Sequence, residues 1–278
     1  MFVRYTQRVF MCFNTYRIIS ERHDLRTTLN VMLFSLLCVA IVGCDSNEEA
    51  DQETLESFIA SSSLPFSDQL IACAGGGELD DQNRPDTPIS VYFYPIEGAK
   101  NFRYFETTSI DDDPDDMALY SEVRLEDDPF FNGYLWRFLN VPLQEERWSR
   151  VVFETGDSLH VSNAIRLKYP VKPTDYDDTQ VVVQSNGVNP TFSWPNVNDQ
   201  TDAIYFQVIS DSNGNLVSGT YTFEKTFTFY DLSNVVLNIR DVSPPPMLDI
   251  DNDYTFTLMT VSRDNWVNLI AQREFSTD

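Results

Sequence analysis

The feature that most constrains this chain is a repeat of two. Ile204-Tyr-Phe-Gln-Val-Ile, Thr220-Tyr-Thr-Phe, Thr226-Phe-Thr-Phe-Tyr and Tyr254-Thr-Phe-Thr-Leu alternate large apolar residues with threonine or polar ones. Alternation sends successive side chains to opposite faces of an extended chain, a pattern a helix cannot use. The β-branched and aromatic residues that dominate these runs suit a pleated, half-buried surface. Turn-forming clusters separate them: Asp211-Ser-Asn-Gly-Asn, Asp241-Val-Ser-Pro-Pro-Pro and Asp249-Ile-Asp-Asn-Asp. The same grammar fills an earlier stretch, at Ile89–Tyr94, Phe102–Thr107, Tyr134–Leu139, Arg150–Glu154 and Ala164–Lys168. No long segment follows a 3.6-residue period. The expectation is an all-β, antiparallel fold.

A proline-punctuated linker, Tyr169-Pro-Val-Lys-Pro-Thr-Asp, divides the strand-rich part into residues 66–171 and 172–278. Each piece is near the commonest domain size. The pieces resemble one another. An aromatic–proline pair closes an early strand in both, Tyr94-Pro95 and Trp194-Pro195, and each ends in a hairpin, the second turning at Arg263-Asp264-Asn265 before Trp266. One module used twice is the expectation: two tandem antiparallel β-sandwiches.

These residues resemble the fibronectin type III family of immunoglobulin-like sandwiches. Trp194 stands where that family has its core tryptophan on the second strand. Leu248-x-x-x-x-x-Tyr254-x-Phe256-x-Leu258 matches the penultimate strand with its tyrosine corner. Ile250 and Asn252 replace the family's proline and threonine within that motif; in the first half Trp148 replaces the tyrosine and Tyr94 the tryptophan. Val161-Ser-Asn-Ala-Ile-Arg-Leu resembles the last strand. The resemblance covers residues 66–278 and implies a fold; it names no ligand.

The start of the chain reads as an address. Arg17, Arg22 and Arg26 precede the apolar run Val31–Gly43, which would span about 20 Å as a helix against the ~30 Å of a bilayer core. The run is too short to cross and fits a signal peptide over residues 1–43, with Met11 an alternative start. It ends Ile41-Val42-Gly43-Cys44, which resembles the lipobox of bacterial lipoproteins. That resemblance implies cleavage before Cys44 and its lipidation by acyl chains such as palmitate, hence a membrane anchor at the bacterial outer membrane or cell surface. Residues 44–65 then form an acidic flexible tether. Asp45-Ser-Asn-Glu-Glu-Ala-Asp-Gln-Glu looks equally like an export tag of surface lipoproteins or a plain solvated spacer, and Leu55, Phe58 and Ile59 could shorten it with one helical turn.

Chemistry is sparse. The formal net charge of -24 excludes general nucleic-acid binding, which needs a basic face. Cleavage would leave His160 as the one histidine and Cys73 as the one thiol beside Cys44, so no catalytic residues are assigned, and no cofactor. His160 reads as a packing residue, Cys73 as a small buried hydrophobe, and Gly75-Gly76-Gly77 as a flexible turn. Two sites are candidates. Asp111, Asp112, Asp113, Asp115 and Asp116, with Asp175, Asp177 and Asp178 at the linker, could offer oxygens to Ca²⁺ or simply be solvated acidic loops. Phe130, Phe131, Tyr134 and Trp266 are candidate ligand-binding aromatics, with Trp266 expected to be more exposed than Trp194. At least one of the consecutive Tyr92, Phe93 and Tyr94 must face away from its own core.

The function expected is a non-enzymatic, lipid-anchored binding or scaffold protein whose partner is an unknown protein or glycan. A glycan-binding accessory lipoprotein of a nutrient-uptake system is the alternative, and a carboxylate-dependent hydrolase a remote one.

Overall fold

The computed structural model describes residues 53–77, 88–130, 133–169, 171–195, 202–229, 231 and 246–278. The expected signal peptide, Cys44 and Phe131 lie outside them. The fold is all-β, as the period of two requires, and each half is built from two sheets.

In the first half, β1 (Phe66–Leu70), β9 (Leu159–Ser162), β8 (Arg147–Glu154), β4 (Lys100–Glu106) and β5 (Ser121–Glu122) lie side by side, with β10 (Ile165–Leu167) also on β8. Facing them are β2 (Ala72–Gly75), β3 (Ile89–Phe93), β7 (Leu135–Val141) and β6 (Asp127–Phe130). In the second half, β11 (Asp175–Tyr176), β18 (Val267–Ser276), β17 (Asp253–Ser262), β14 (Asp202–Asp211) and β15 (Leu216–Thr222) form one sheet. β12 (Val182–Gln184), β13 (Thr191–Ser193) and β16 (Thr226–Thr228) form the other. The two halves share one plan. In both, the entry strand runs parallel to the strand that closes the sandwich, β1 on β9 and β11 on β18, before the chain crosses to the other sheet.

Apolar side chains from both sheets meet in each half. Phe192 stacks on Phe256 with ring centroids 4.0 Å apart, and Trp194, 4% exposed, leans on Tyr205 and Phe256. In the first half Phe93 stacks on Phe138, while Tyr104, Val151 and Phe153 close the core from the other sheet.

The corner before the penultimate strand differs between halves. The Asp249 N–H donates to the Tyr254 hydroxyl at 2.9 Å, so the expected tyrosine corner is present. Trp148, expected in the equivalent role, instead donates its indole N–H to the Ile110 carbonyl at 3.2 Å. The work falls to its neighbour. Arg147, buried, donates to the Pro142 carbonyl at 3.0 Å and the Glu145 carbonyl at 3.3 Å, and pairs with Glu106 at 3.0 Å. Glu106 also accepts from the Tyr104 hydroxyl at 2.8 Å. Burial and the Glu106 charge hold the Tyr104 phenol well above the usual range.

The expected flexible tether needs correcting from residue 53 onward. Glu53 accepts from the Glu122 N–H, and α1 (Leu55–Ser61) is capped by the Thr54 hydroxyl, which accepts from Ser57 N–H. Leu55 and Phe58 bury against Phe105, Val152, Leu159 and Val161 on the outer face of the first sheet. The apolar triplet that suggested a helical turn is the docking face of that helix.

The halves are joined by more than the linker. The β17–β18 hairpin tip inserts into the first half: Ala74 N–H donates to the Asn265 carbonyl at 3.0 Å and Arg166 N–H to the Asp264 carbonyl at 2.9 Å. Asn265 Nδ2 reaches the Ala164 carbonyl, and Lys168 pairs with Asp264 at 2.9 Å. Trp266, at the end of this tip, is 0% exposed and belongs to the first half's core. The expectation of an exposed Trp266 is therefore wrong, because its cover comes from the other half of the chain. Gly75-Gly76-Gly77 is no loose turn either. A Cβ on Gly75 would come within 2.9 Å of Val267 Cβ, and Gly76 adopts φ +125° while its N–H donates to the Thr174 hydroxyl at 2.7 Å. Small residues here let linker and second half pack directly on β2.

Candidate functional site

The site follows from which side chains each strand turns outward. Along β3, Ile89, Val91 and Phe93 enter the first half's core, so Tyr92 and Tyr94 face away from it. Along β14, Tyr205 and Ile209 point into the second core, which leaves Ile204 and Phe206 on the other face. These two outward faces pack against one another. Tyr92, Cys73 and Phe130 of the first half meet Met259, Val261 and Val267 of the second.

Packing there is incomplete and leaves a cleft of about 240 Å³. The first half lines it with Leu70, Ile71, Cys73, Tyr94, Tyr134 and Leu135; the second closes it with Ile204, Phe206, Tyr221, Met259 and Val261. Its mouth is marked by Ile71, 45% exposed. Tyr134 is held across the junction: its hydroxyl donates to the Gly219 carbonyl at 2.9 Å, and a Cβ on Gly219 would lie 2.5 Å from its ring. Only glycine permits that approach. Tyr94 meets Tyr134 edge-on, with centroids 5.3 Å apart and planes at 66°.

The electrostatics are those of an apolar wall. Burial pushes the Cys73 thiol up to about 12, so it stays protonated at neutral pH and is no nucleophile. Burial also raises the Tyr92 phenol. Tyr92 packs on Phe130 at 5.3 Å, and Arg137, paired with Asp128 at 2.8 Å, lies over the Phe130 ring at 5.0 Å. Burial outweighs the Asp157 charge at His160 and lowers its imidazole below the ordinary value; the ring stacks on Phe153 and Nε2 lies 3.2 Å from the Thr155 hydroxyl.

Of the aromatics singled out from sequence, Tyr134 lines the cleft, Phe130 supports Tyr92, and Trp266 is core. Sequence reasoning missed Ile204, Phe206, Tyr221 and Met259. The reading of Ile204–Ile209 as a simple alternation is the part to correct: both parities there carry apolar residues, the mark of a strand covered on two faces.

The acidic candidates do not converge. Among the described residues no three His, Cys, Asp or Glu side chains are placed to hold a metal. The candidate carboxylates are dispersed among separate local contacts or left in solvent. Asp112 accepts from the N–H groups of Thr108 and Ser109, Asp113 from Asp115 N–H and Asp116 from Ala118 N–H. Asp115 reaches Arg150 at 3.5 Å, and Asp111 is exposed. At the linker, Asp178 accepts from Gln272 N–H, while Asp177 is held below the usual carboxylate range by the Thr179 hydroxyl and then Gln180. Asp175 lies exposed in β11, paired with Leu269 of β18.

No family model matches the chain, and no curated protein does. Similar solved structures include the FN1–FN3 domains of chicken CNTN1, at 12% identity over 77% of this chain and 68% of that one, with a TM-score of 0.28. Another is the chicken interferon gamma receptor alpha chain, at 11% identity over 68% and 91% of the two chains, with a TM-score of 0.23.

Proposed function

We propose that the protein is a non-enzymatic, lipid-anchored binding protein of the bacterial cell envelope that holds its ligand in the cleft between its two sandwiches. The cleft itself carries this reading. Apolar and aromatic side chains from both halves line one concavity, which is how ligand sites are commonly built. The groups with chemical potential are engaged structurally, Cys73 as a protonated thiol in the wall and His160 stacked on Phe153. The anchor rests on Ile41-Val42-Gly43-Cys44 at the end of a short apolar run. A sugar-binding platform would call for coplanar exposed rings, whereas Tyr94 and Tyr134 stand at 66° and Tyr92 and Phe130 at 46°. That geometry favours a ligand other than a glycan.

The test is native mass spectrometry of the protein drawn from its own envelope in mild detergent. Wild type should carry a non-covalent mass that Met259→Trp and Ile204→Trp, which fill the cleft, both lose. Identical spectra for all three would dismiss the cleft. In the same cells Cys44→Ser should move the protein to the soluble fraction; retention in the membrane pellet would dismiss the anchor.

A further inference from the structure

The cleft's lining also constrains the chemistry of its occupant. We infer that it takes an uncharged hydrophobic molecule of roughly nine carbons, a medium-length aliphatic chain or a fused pair of aromatic rings. The inference rests on the cleft being the binding site and adds the class of ligand.

Size sets the first limit. A dry apolar cavity of about 150 Å³ accommodates a benzene molecule, so about 25 Å³ serves each carbon. The 240 Å³ between the sandwiches therefore holds roughly nine or ten. Charge sets the second. In a chain of net charge -24, not one side chain among the described residues lining the cleft is charged. A carboxylate moved there would lose its water without gaining a counter-ion, a cost that drives such groups to neutral forms or back to solvent. A cation would find aromatic faces but no carboxylate behind them. Shape sets the third. Leu70, Ile71, Leu135, Ile204, Met259 and Val261 make most of the lining aliphatic; of its polar groups, the Tyr134 hydroxyl is spent on the Gly219 carbonyl and Asn265 Nδ2 on the Ala164 carbonyl. Recognition by area, not by a hydrogen-bond pattern, suits an alkyl or aryl body. Ile71 at the mouth lets a polar end group remain in water.

The experiment uses 1-naphthylamine, a neutral fluorophore of two fused rings that matches the cleft in size, with four competitors: 1-nonanol, nonanoate, nonyltrimethylammonium and maltose. The fluorophore should brighten on wild-type protein, and nonanol should displace it at concentrations about tenfold below either charged analogue, a 1.4 kcal/mol preference. Maltose should not displace it. Met259→Trp and Ile204→Trp, each checked for wild-type circular dichroism, should lose the fluorescence rise. On wild-type protein 1-nonanol should also raise the thermal midpoint, and Met259→Trp should abolish that rise. Displacement by maltose or preferentially by a charged analogue, with the midpoint rise lost in Met259→Trp, would overturn the ligand class and leave the cleft as the site. No fluorescence rise and no midpoint shift with any competitor would overturn both.

Discussion

The two sandwiches follow one strand order yet differ in self-sufficiency. Among the described residues, every buried side chain in the second half's main cluster, from Val181 to Phe275, comes from that half. The first half's main cluster contains Trp266 from the other sandwich, and its outer face is covered by α1. They also tie the same corner differently, the second with a neutral Tyr254 hydroxyl bond and the first with the buried Arg147–Glu106 pair. A repeated fold therefore need not be a repeated stability. One copy is closed, and the other is completed by its neighbour.

That contrast can be broken most sharply at Trp266. Trp266→Ala should cost about 3–5 kcal/mol, as for other large buried aromatics, and the loss should fall on the first half. Hydrogen exchange resolved by residue should show β2, β3 and β10 losing protection before β13 and β17. Uniform loss in both halves would mean that Trp266 serves the two cores alike.

The corner comes next. Arg147→Ala should cost about 3 kcal/mol in chemical denaturation, because it strands Glu106 and frees two carbonyls. The double change Arg147→Met with Glu106→Leu should recover most of that, since an apolar pair of similar volume avoids the desolvation. If single and double variants unfold alike, the carbonyl bonds and not the ion pair hold the corner. Tyr254→Phe should be milder, about 0.5–1.5 kcal/mol, the usual worth of one neutral hydrogen bond.

The smallest effect is expected at His160. Burial holds its imidazole below the ordinary value in the folded chain. The folded state thus prefers the neutral ring: its contribution is complete above the unfolded value near 6.5 and is lost as pH falls through the lowered folded value. Stability followed from pH 7 to pH 5 should decline less in His160→Gln than in wild type, and parallel curves would place the acid sensitivity elsewhere.

Much of the architecture was legible because strands announce themselves locally. The alternation at Tyr254–Leu258 and the spacing from Leu248 located β17 and its corner without any partner in view. What escaped was non-local. Trp266 lies beside a hairpin tip, where exposure is the reasonable expectation, and nothing nearby in sequence announces the first half's core that receives it. Trp148 looked like the corner residue because it is aromatic. Arg147 beside it was passed over, since a charged residue is seldom buried unless paired, and its partner Glu106 lies on another strand. The cleft was half legible: Tyr92-Phe93-Tyr94 required an outward aromatic, but the opposing wall of Ile204, Phe206 and Met259 needed the second sandwich in place.

The parallel entry strands also have a mechanical meaning. Tension applied along the chain would draw the start of β1 and the end of β9 in opposite directions along their shared row of hydrogen bonds, from Phe66–Leu159 to Leu70–Ser162. Bonds loaded that way must yield together, whereas an antiparallel hairpin unzips one pair at a time. β11 opposes β18 in the same sense, but over Asp175–Leu269 and Tyr176–Ile270 alone. Under a pull from both ends, the second sandwich would let go of its entry strand first, and the first, though it borrows its core, would hold longer.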